Sequence, residues 1–327
     1  MVILNDKLIK SFERKHYGIV GKHSAVEICS WNKKSLIGEG ECYKEKFYGV
    51  NTHRCAQITP AVAWCEHNCL HCWRPMEMFA PPTQFKEPFD TPDEIIEGVI
   101  RERKKLLTGF GGNERANKKK YEEALEPDHW ALSLSGEAGL YPFLPELIKK
   151  IRERKNTRTV FYVTNGQEPD MIQRLIDEDG EPTQIYVSLL ASNEKKYKEI
   201  CLPFYKDGWA RLMDTFNMWK KMKCRKVMRI THIKDVNDSE KEIEDFAKII
   251  EMSESDFVEI KAYMYLGYSR NRLKKENMPT HEEVKEFTNK ILQKTKNYYY
   301  ENEDGKSRIV LLKSKKSKFT TKIFGEK

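Results

Sequence analysis

The sequence has no long apolar run. No stretch approaches the roughly 18 apolar residues that a membrane-spanning helix needs, and the mean hydropathy is −0.71. The first residues, Met-Val-Ile-Leu-Asn-Asp-Lys, also lack the apolar segment of a secretory signal peptide. We therefore expect a soluble cytoplasmic protein with no membrane partner.

A disulfide framework is also missing. Six of the eight cysteines fall between residues 29 and 72, whereas cross-linked small domains spread their cysteines over the whole fold. A chain of 327 residues buries a sizeable core without cross-links. The crowded cysteines are therefore more typical of reduced, metal-binding thiols.

The densest cysteine motif is Cys65-Glu-His-Asn-Cys69-Leu-His-Cys72. Structural zinc sites usually have four ligands, arranged as two pairs, and here no second C-x2-C and no H-x3–5-H follows. Zinc stays open as an alternative, although His67 and His71 are awkwardly placed for tetrahedral closure with cysteines of their own loop. Three thiolates can instead hold three irons of a [4Fe–4S] cube and leave the fourth iron free.

This three-cysteine loop resembles that of the radical S-adenosylmethionine (SAM) enzymes. The resemblance implies a [4Fe–4S] cluster on Cys65, Cys69 and Cys72, with SAM bound at the open iron. A Gly-Gly-Glu-like motif that holds SAM in the family corresponds to Ser135, Gly136 and Glu137, where serine replaces the first glycine. Asn165 and Ser188, after later strands, are candidates for the ribose of SAM, although Asn165-Gly166 is also an ordinary turn sequence.

Short apolar strands alternate with helical patterns along the chain, which is typical of a parallel sheet covered on both faces. The predicted strands are Ala61–Trp64, Trp130–Leu134, Thr159–Val163, Gln184–Leu190, Lys226–Ile233 and Phe257–Ala262, followed by Ser307–Leu312. The predicted helices are Thr91–Thr108, Phe143–Arg154, Pro169–Asp177, Trp209–Met222 and Ser239–Met252.

These elements predict an α/β fold, a partial (β/α)6 TIM-like radical SAM barrel with an N-terminal extension and an added C-terminal strand. We divide it into 1–55, 56–312 and a basic tail, 313–327, within one globular unit. The segment Gly109–Pro127 is expected to be an exposed insertion and the tail to be mobile. Active residues should lie at the C-terminal ends of the strands.

A second cysteine set, Cys29, Cys42 and Cys55, has equal gaps of thirteen residues, too long for a local metal loop. Scattered thiols are often buried small side chains. However, Gly21–Lys33, Cys42–Gly49 and His53–Cys55, leading into Cys72-Trp-Arg-Pro75, resemble the 4-demethylwyosine synthase family. Later segments that agree with this family are Pro182–Ser188, Leu202–Trp209 and Val258–Lys261.

The family resemblance implies a lyase that condenses N1-methylguanosine-37 of tRNA-Phe with pyruvate. Cys29, Cys42 and Cys55 would hold a second [4Fe–4S] cluster, and Lys44 would form an imine with the pyruvate carbonyl. Lys33, Lys34 and Lys46 are competing lysines. Eukaryotic members carry a flavodoxin-like domain that is not in this sequence, so we expect an external flavodoxin- or ferredoxin-like electron donor.

Charge agrees with an RNA partner. The formal net charge is +8, and basic runs occur at Lys118–Lys120, Arg270–Lys275 and Lys313–Lys318. We expect a monomer, since no oligomerisation stripe is visible. Two other functions stay open: another radical SAM enzyme that methylates or methylthiolates RNA, and a zinc-stabilised RNA-binding protein.

Overall fold

Ten strands form a single sheet in the computed structural model, which describes residue 4 and residues 6–324. In chain order the strands are β1 (Tyr17–Val20), β2 (Ser24–Glu27), β3 (Cys55–Thr59), β4 (His129–Leu132), β5 (Thr159–Thr164), β6 (Gln184–Leu189), β7 (Arg225–His232), β8 (Phe257–Ala262), β9 (Tyr298–Asp304) and β10 (Ile309–Ser314).

The helices in the described residues are α1 (Asp6–Glu13), α2 (Ser30–Leu36), α3 (Tyr43–Tyr48), α4 (Pro92–Gly111), α5 (Lys118–Ala124), α6 (Leu144–Glu153), α7 (Pro169–Asp177), α8 (Glu194–Cys201), α9 (Gly208–Met218), α10 (Glu240–Ser253) and α11 (His281–Lys294). The predicted helix Thr91–Thr108 corresponds to α4, which begins at a capping box in which Thr91 and Glu94 satisfy each other's backbone N–H groups. None of these helices is both long and apolar enough to cross a membrane.

The strands from β3 to β8 are parallel and follow one another in chain order. An antiparallel hairpin, β1–β2, extends one edge, and β10 and β9 extend the other edge in antiparallel pairing. This mostly parallel α/β sheet confirms the expected fold class. The added C-terminal strand is one half of a hairpin whose first strand, β9, was not predicted.

The two faces of the sheet have different neighbours because successive side chains of a strand point in opposite directions. One face carries Phe161, Tyr186 and Val227, which form a buried cluster with residues of α3. We call this the inner face. The opposite face carries Tyr162 and Ile185, which belong to the main core together with the covering helices. The N-terminal segment that holds α3 therefore packs against the inner face of the sheet.

The first parallel strand was predicted wrongly. The structure places it at Cys55–Thr59, and Ala61–Trp64 lies in the following loop, where Trp64 makes an isolated bridge to Ala80. Residues Ala61–Trp64 are buried, and the turn after β4 packs against them through Ser135 and Gly136. The expected insertion Gly109–Pro127 is also more ordered than predicted, since it contains the end of α4 and all of α5.

The described part of the basic tail is attached to the sheet. Phe319 and Ile323 pack against the inner-face cluster. Arg225 donates hydrogen bonds to the carbonyl oxygens of Thr320 and Thr321, at 2.7 and 2.8 Å. The expectation of a mobile tail is therefore not met for residues 315–324, and residues 325–327 lie outside the described chain.

Candidate metal centres and substrate pocket

The loop that carries Cys65, Cys69 and Cys72 begins after β3, at the C-terminal end of the parallel strands. The turn after β4 packs directly on its entry. Gly136 has φ +66°, and a Cβ there would lie 1.8 Å from the carbonyl oxygen of Ala61. Only glycine allows this approach, so this residue lets the Ser135–Glu137 turn contact the segment that leads into Cys65.

Glu137 and Asn165 connect that turn to the cysteine loop. The Glu137 carboxylate accepts hydrogen bonds from the backbone N–H groups of Asn165 (2.8 Å) and Gly139 (2.9 Å). The Asn165 amide donates to Glu66 at 2.9 Å and lies 3.7 Å from the Cys65 sulfur. Burial raises the pKa of Glu137 to about 7. A positively charged amine of a ligand would stabilise its ionised form.

The other predicted SAM contacts differ in their placement. The Ser135 hydroxyl donates to the carbonyl oxygen of Val62 at 2.8 Å, within the same assembly. Ser188 lies on β6, in register with Arg229 of β7, and its side chain has no hydrogen bond among the described residues. The structure therefore brings Ser135, Gly136, Glu137 and Asn165 together, and Ser188 directly follows Val187, which pairs with Thr164 of the neighbouring strand β5.

The far side of the cysteine loop is held by Arg272, which the sequence had assigned only to a basic run. Its guanidinium donates to the carbonyl oxygens of Leu70 and Cys72 and pairs with Glu77. Burial raises the pKa of Cys72 to about 12 and that of Cys65 well above its usual value. Buried thiols of this kind become thiolates when a metal binds them.

The side-chain amide of buried Asn32 holds the second cysteine set together through hydrogen bonds to backbone carbonyl oxygens. The Asn32 side chain donates to the carbonyl oxygens of Thr52, His53 and Cys55, at 3.0 to 3.2 Å. The Cys42 backbone N–H donates to the Thr52 hydroxyl at 3.1 Å. Because Cys29 immediately precedes α2, which carries Asn32, these bonds bring all three cysteines to one place.

The three thiols of this set interact with one another and with Lys44. Burial raises the pKa values of Cys42 and Cys55 to about 12, and the charge of Lys44 opposes that shift at both thiols. Burial also raises the pKa of Cys29. All eight cysteines lie in the described chain and none is in a disulfide. Both sets therefore offer three free thiols, of which Cys69 is buried and the other five are partly buried, and three thiols are the donor set that a cysteine-ligated iron–sulfur cluster with an open iron takes.

Lys44 points across the inner face. Its amine lies 5.3 Å from the ring centre of Phe161 and 5.2 Å from that of Tyr186. The competing lysines have other neighbours. Burial raises the pKa of Glu27, and the charge of Lys33 opposes that shift. Lys34 lies over the ring of Trp31, and Lys46 donates to the carbonyl oxygen of Glu303. Of these four, only Lys44 is located between the second cysteine set and the sheet.

A buried carboxylate fixes α3 and therefore Lys44. Glu259 of β8 accepts hydrogen bonds from the hydroxyls of Tyr43 (3.1 Å) and Tyr48 (2.7 Å) and from the Arg229 guanidinium (2.5 Å). Glu259 is fully buried, so its charge must be paired to be tolerated. No role for Arg229 or Glu259 was predicted from the sequence. An arginine and a glutamate within two strands that were predicted to be buried could have indicated a buried ion pair.

Two further residues of this pocket were missed. His129 lies beside Cys55 in register and edge-on to Phe161, and its Nε2 has no hydrogen-bond partner among the described residues. Lys261 of β8 donates to the carbonyl oxygen of Ser307 at 2.6 Å. Burial, followed by the charge of Arg229, lowers the pKa of Lys261 to about 8. Lys261 stands in a predicted strand, where a lysine is unusual enough to have been noted.

The basic runs are partly engaged within the protein. Lys118 and Lys119 of α5 are exposed, whereas Lys120 is paired with Glu41 at 2.6 Å. In the C-terminal run, Lys315 donates to the carbonyl oxygen of Lys296. The free positive charge available to a polyanion is therefore smaller than the sequence count implies.

Family models match two parts of the chain. The radical SAM superfamily matches residues 60–247, and a family described as wyosine base formation matches residues 252–314. The first range contains the three-cysteine loop and the Glu137 turn. The second contains β8 to β10, including Lys261.

Known proteins are similar over nearly the whole length. S-adenosyl-L-methionine-dependent tRNA 4-demethylwyosine synthase of Pyrococcus abyssi is 44% identical over 94% of this chain and 88% of its own length. The protein of the same name from Methanocaldococcus jannaschii is 38% identical over 98% of this chain and its full length. A solved structure of TYW1 with a lysine-pyruvate adduct bound is 36% identical, with a TM-score of 0.86 over 98% of this chain and all of that one.

Proposed function

This chain belongs to the radical SAM superfamily and, within it, to the S-adenosyl-L-methionine-dependent tRNA 4-demethylwyosine synthases, and we propose that it condenses N1-methylguanosine-37 of tRNA-Phe with pyruvate to form 4-demethylwyosine. The observation that carries this proposal is the meeting of Cys29, Cys42 and Cys55 with Lys44 on the inner face. A radical SAM enzyme that only methylates or methylthiolates RNA has no need of a lysine there.

Cys65, Cys69 and Cys72 would hold the SAM-binding [4Fe–4S] cluster. With SAM bound, this cluster would supply the radical chemistry that removes one hydrogen atom from the N1-methyl group. Glu137 would accept the SAM amino group, and Asn165, which is bonded to Glu66 and close to Cys65, would fix the ligand beside the loop. Ser135 and Gly136 would supply the tight turn, and Ser188 would reach the ribose from β6.

Cys29, Cys42 and Cys55 would hold a second [4Fe–4S] cluster, whose open iron supplies a Lewis acid for the oxygens of pyruvate. Their burial and their lack of disulfides support this assignment. His129, whose free Nε2 lies beside Cys55 in register, would bond an oxygen of the bound substrate.

Lys44 would attack the pyruvate ketone and form an imine with loss of one water molecule. The N1-methyl carbon, from which one hydrogen atom has been removed, would then bond to the imine carbon of pyruvate while the bond from that carbon to the carboxyl group breaks. The carboxyl group would leave as the carbon dioxide radical anion, which passes its unpaired electron to the flavodoxin- or ferredoxin-like partner and departs as carbon dioxide, so the enzyme would be a carbon–carbon lyase. The exocyclic amine of guanine displaces the Lys44 amine from the same carbon and closes the third ring. Lys44 is thereby released for another cycle.

The protein must receive a base that is normally stacked, so guanosine 37 has to leave its stack to reach the inner face. The aromatic rings of Phe161 and Tyr186 line that face and help to exclude water. We propose that residues 1–55, 56–312 and 313–327 act as one monomeric cytoplasmic unit, which takes electrons from a flavodoxin- or ferredoxin-like donor.

The direct test incubates the reconstituted protein anaerobically with SAM, a reductant, carbon-labelled pyruvate and tRNA-Phe that carries N1-methylguanosine-37. We expect two labelled carbons in a tricyclic nucleoside, with label from the carboxyl carbon absent. Matched tRNA with unmethylated guanosine-37 should give no product. Methylated or methylthiolated RNA without pyruvate carbon would overturn the proposal in favour of another RNA modification, and a colourless zinc protein would exclude both.

A further inference from the structure

A cluster of three potential metal ligands combines two residues of the cysteine loop with one cysteine from a distant helix. His67, Cys69 and Cys201 each provide one ligand atom, and these atoms all lie within 4.8 Å of one another. The three residues are only 4%, 8% and 1% exposed. Cys201 ends α8 and belongs to neither cysteine set discussed above.

The backbone holds this cluster together without any metal. The N–H groups of Asn68 and Leu70 donate to the carbonyl oxygens of Cys201 and Ile200, both at 2.9 Å. The Phe204 N–H donates to the Glu66 carbonyl oxygen at 2.7 Å. This short antiparallel pairing fixes residues 66–70 against residues 200–204. The backbone hydrogen bonds therefore hold the side chains of Cys69 and Cys201 close to each other.

One ring nitrogen of His67 is free to bind a cation. The Nε2 atom is 2.7 Å from the Tyr197 hydroxyl, whereas Nδ1 is buried with no hydrogen-bond partner among the described residues. An unpaired buried nitrogen is costly. In metal sites a ligating histidine is usually bonded at its other nitrogen, which orients the ring. The pairing with Tyr197 provides that arrangement.

The sulfur atoms of Cys69 and Cys201 lie within 4.8 Å of each other, and the interaction with Cys201 is the main cause that raises the pKa of the Cys69 thiol. Two thiolates and one imidazole on a dry site suit a thiophilic divalent ion of the zinc class, with a fourth position for water or a small ligand. A tetrahedral site built only from the histidines and cysteines of this loop would be hard to close. Here Cys201 supplies one ligand from α8, so only His67 and Cys69 must come from the loop.

We propose that, in the iron-free protein, His67, Cys69 and Cys201 bind one zinc-class ion, and that this ion and the SAM-binding cluster exclude each other because both need Cys69. The zinc site itself depends only on these three residues. The exclusion rests on the proposed assignment of Cys69 to the cluster.

The test uses the full chain, stripped of metal and kept reduced. Zinc chloride is titrated against a chromophoric chelator for wild type, Cys201→Ala and, as a matched buried cysteine, Cys224→Ala. We expect wild type and Cys224→Ala to bind one tight equivalent that Cys201→Ala lacks or binds at least about tenfold more weakly. Cobalt(II) in place of zinc should give a tetrahedral visible spectrum with sulfur charge-transfer bands that weaken in Cys201→Ala.

Iron and sulfide reconstitution after one equivalent of zinc tests the exclusion. Iron content should stay at about four, from the second cysteine set, in wild type and Cys224→Ala, and should reach about eight in Cys201→Ala. Equal zinc binding and equal suppression in all three proteins would overturn the proposal, because the ion would then sit among Cys65, Cys69 and Cys72 alone.

Two further variants protect the test against misfolding. Cys201→Ser keeps the size of the side chain, and His67→Gln removes the imidazole, and each should lose the tight equivalent while retaining the circular dichroism spectrum. If both variants still bind the tight zinc equivalent, the proposal is wrong. If zinc binds as expected but wild type takes up no iron in the absence of zinc, the cluster assignment of Cys69 fails and the zinc site stands.

Discussion

The amine of Lys44 lies 5.2 Å from the ring centre of Tyr186. This contact places a lysine of the N-terminal segment over the middle of the sheet, on the face opposite the covering helices. The face of an aromatic ring attracts a cation, and the neighbouring Tyr43 is bonded to buried Glu259. The position of the amine is therefore set by contacts on both sides of it.

Replacement of Lys44 by arginine should abolish imine formation, since arginine keeps the charge but cannot form an imine with a ketone. Borohydride reduction in the presence of pyruvate should add a stable mass to a peptide containing residue 44 in wild type and none in Lys44→Arg. The rate of product formation should fall by about 100-fold or more.

Lys46→Gln is the matched control because Lys46 lies two residues away and is exposed. It should retain trapping and activity. A trapped adduct in Lys44→Arg would assign the imine to another lysine, and Lys261, with its pKa lowered to about 8, would be the first to examine.

Iron content should separate the two cysteine sets. The triple variant Cys29→Ala, Cys42→Ala, Cys55→Ala should contain about four irons after anaerobic reconstitution, compared with about eight in wild type, because each set would hold one cube. Removing Cys65, Cys69 and Cys72 instead should also leave about four.

The two triple variants should differ in function although their iron contents are equal. The first should still cleave SAM reductively, and the second should not. About four irons in wild type would contradict the second cluster, and reductive SAM cleavage by both triple variants would contradict the division of roles.

SAM affinity should depend on pH through Glu137. Burial raises the pKa of this carboxyl to about 7 in the ligand-free protein, and the SAM ammonium group prefers the ionised form. Protons therefore compete with SAM below that value, and the dissociation constant should rise as the pH falls through about 7, approaching tenfold per pH unit.

Glu137→Gln should bind SAM more weakly at pH 8 and should show little of this dependence. Isothermal titration at several pH values, with the protein reconstituted identically, measures both effects. The same pH dependence in Glu137→Gln would mean that another group titrates, and buried Glu66, whose pKa is also raised by burial and by Glu137, is the nearest such group.

Arg103 should matter for stability beyond its charge. This fully buried side chain of α4 donates to the carbonyl oxygens of His53, Cys55 and Ala124, at 2.6 to 3.0 Å. Arg103→Met leaves these buried acceptors unpaired, and the free energy of unfolding should fall by about 3 kcal/mol. Arg101→Met, on the exposed side of the same helix, should change it by less than about 0.5 kcal/mol.

Denaturant titration of the metal-free proteins measures the difference. Equal midpoints for Arg103→Met and Arg101→Met would show that water replaces the guanidinium at no cost. Loss of iron binding in Arg103→Met only would further show that the Cys55 carbonyl must be held for the second set to assemble.

Sequence patterns predicted the strands from Trp130 to Ala262 well, because β4 to β6 are largely apolar and β7 and β8 carry apolar residues around the polar residues Arg229, Glu259 and Lys261. They failed at β3, since Cys55–Thr59 alternates polar and apolar side chains while the more apolar Ala61–Trp64 is buried in a loop. The four-residue strands β1 and β2 are too short to produce a periodic signal.

The candidate sites divide in the same way. Cys65, Cys69 and Cys72 share one loop, so their spacing was informative. The gathering of Cys29, Cys42 and Cys55 depends on the Asn32 amide and could be expected only from family resemblance. The choice of Lys44 over Lys33, and the approach of Cys201 to Cys69, depend on contacts between distant segments, which no local pattern records.

The bond between Tyr43 and Glu259 joins residues 216 positions apart, and this separation sets an order of events during synthesis. Domains fold as their chain emerges, the N-terminal part first. Cys29, Cys42 and Cys55 leave the ribosome early, but α3 has no carboxylate to anchor it until β8 has been made. The candidate substrate site around Lys44 is therefore completed close to the end of translation, and a nascent chain that stops short of β8 carries every cysteine yet cannot hold Lys44 in place.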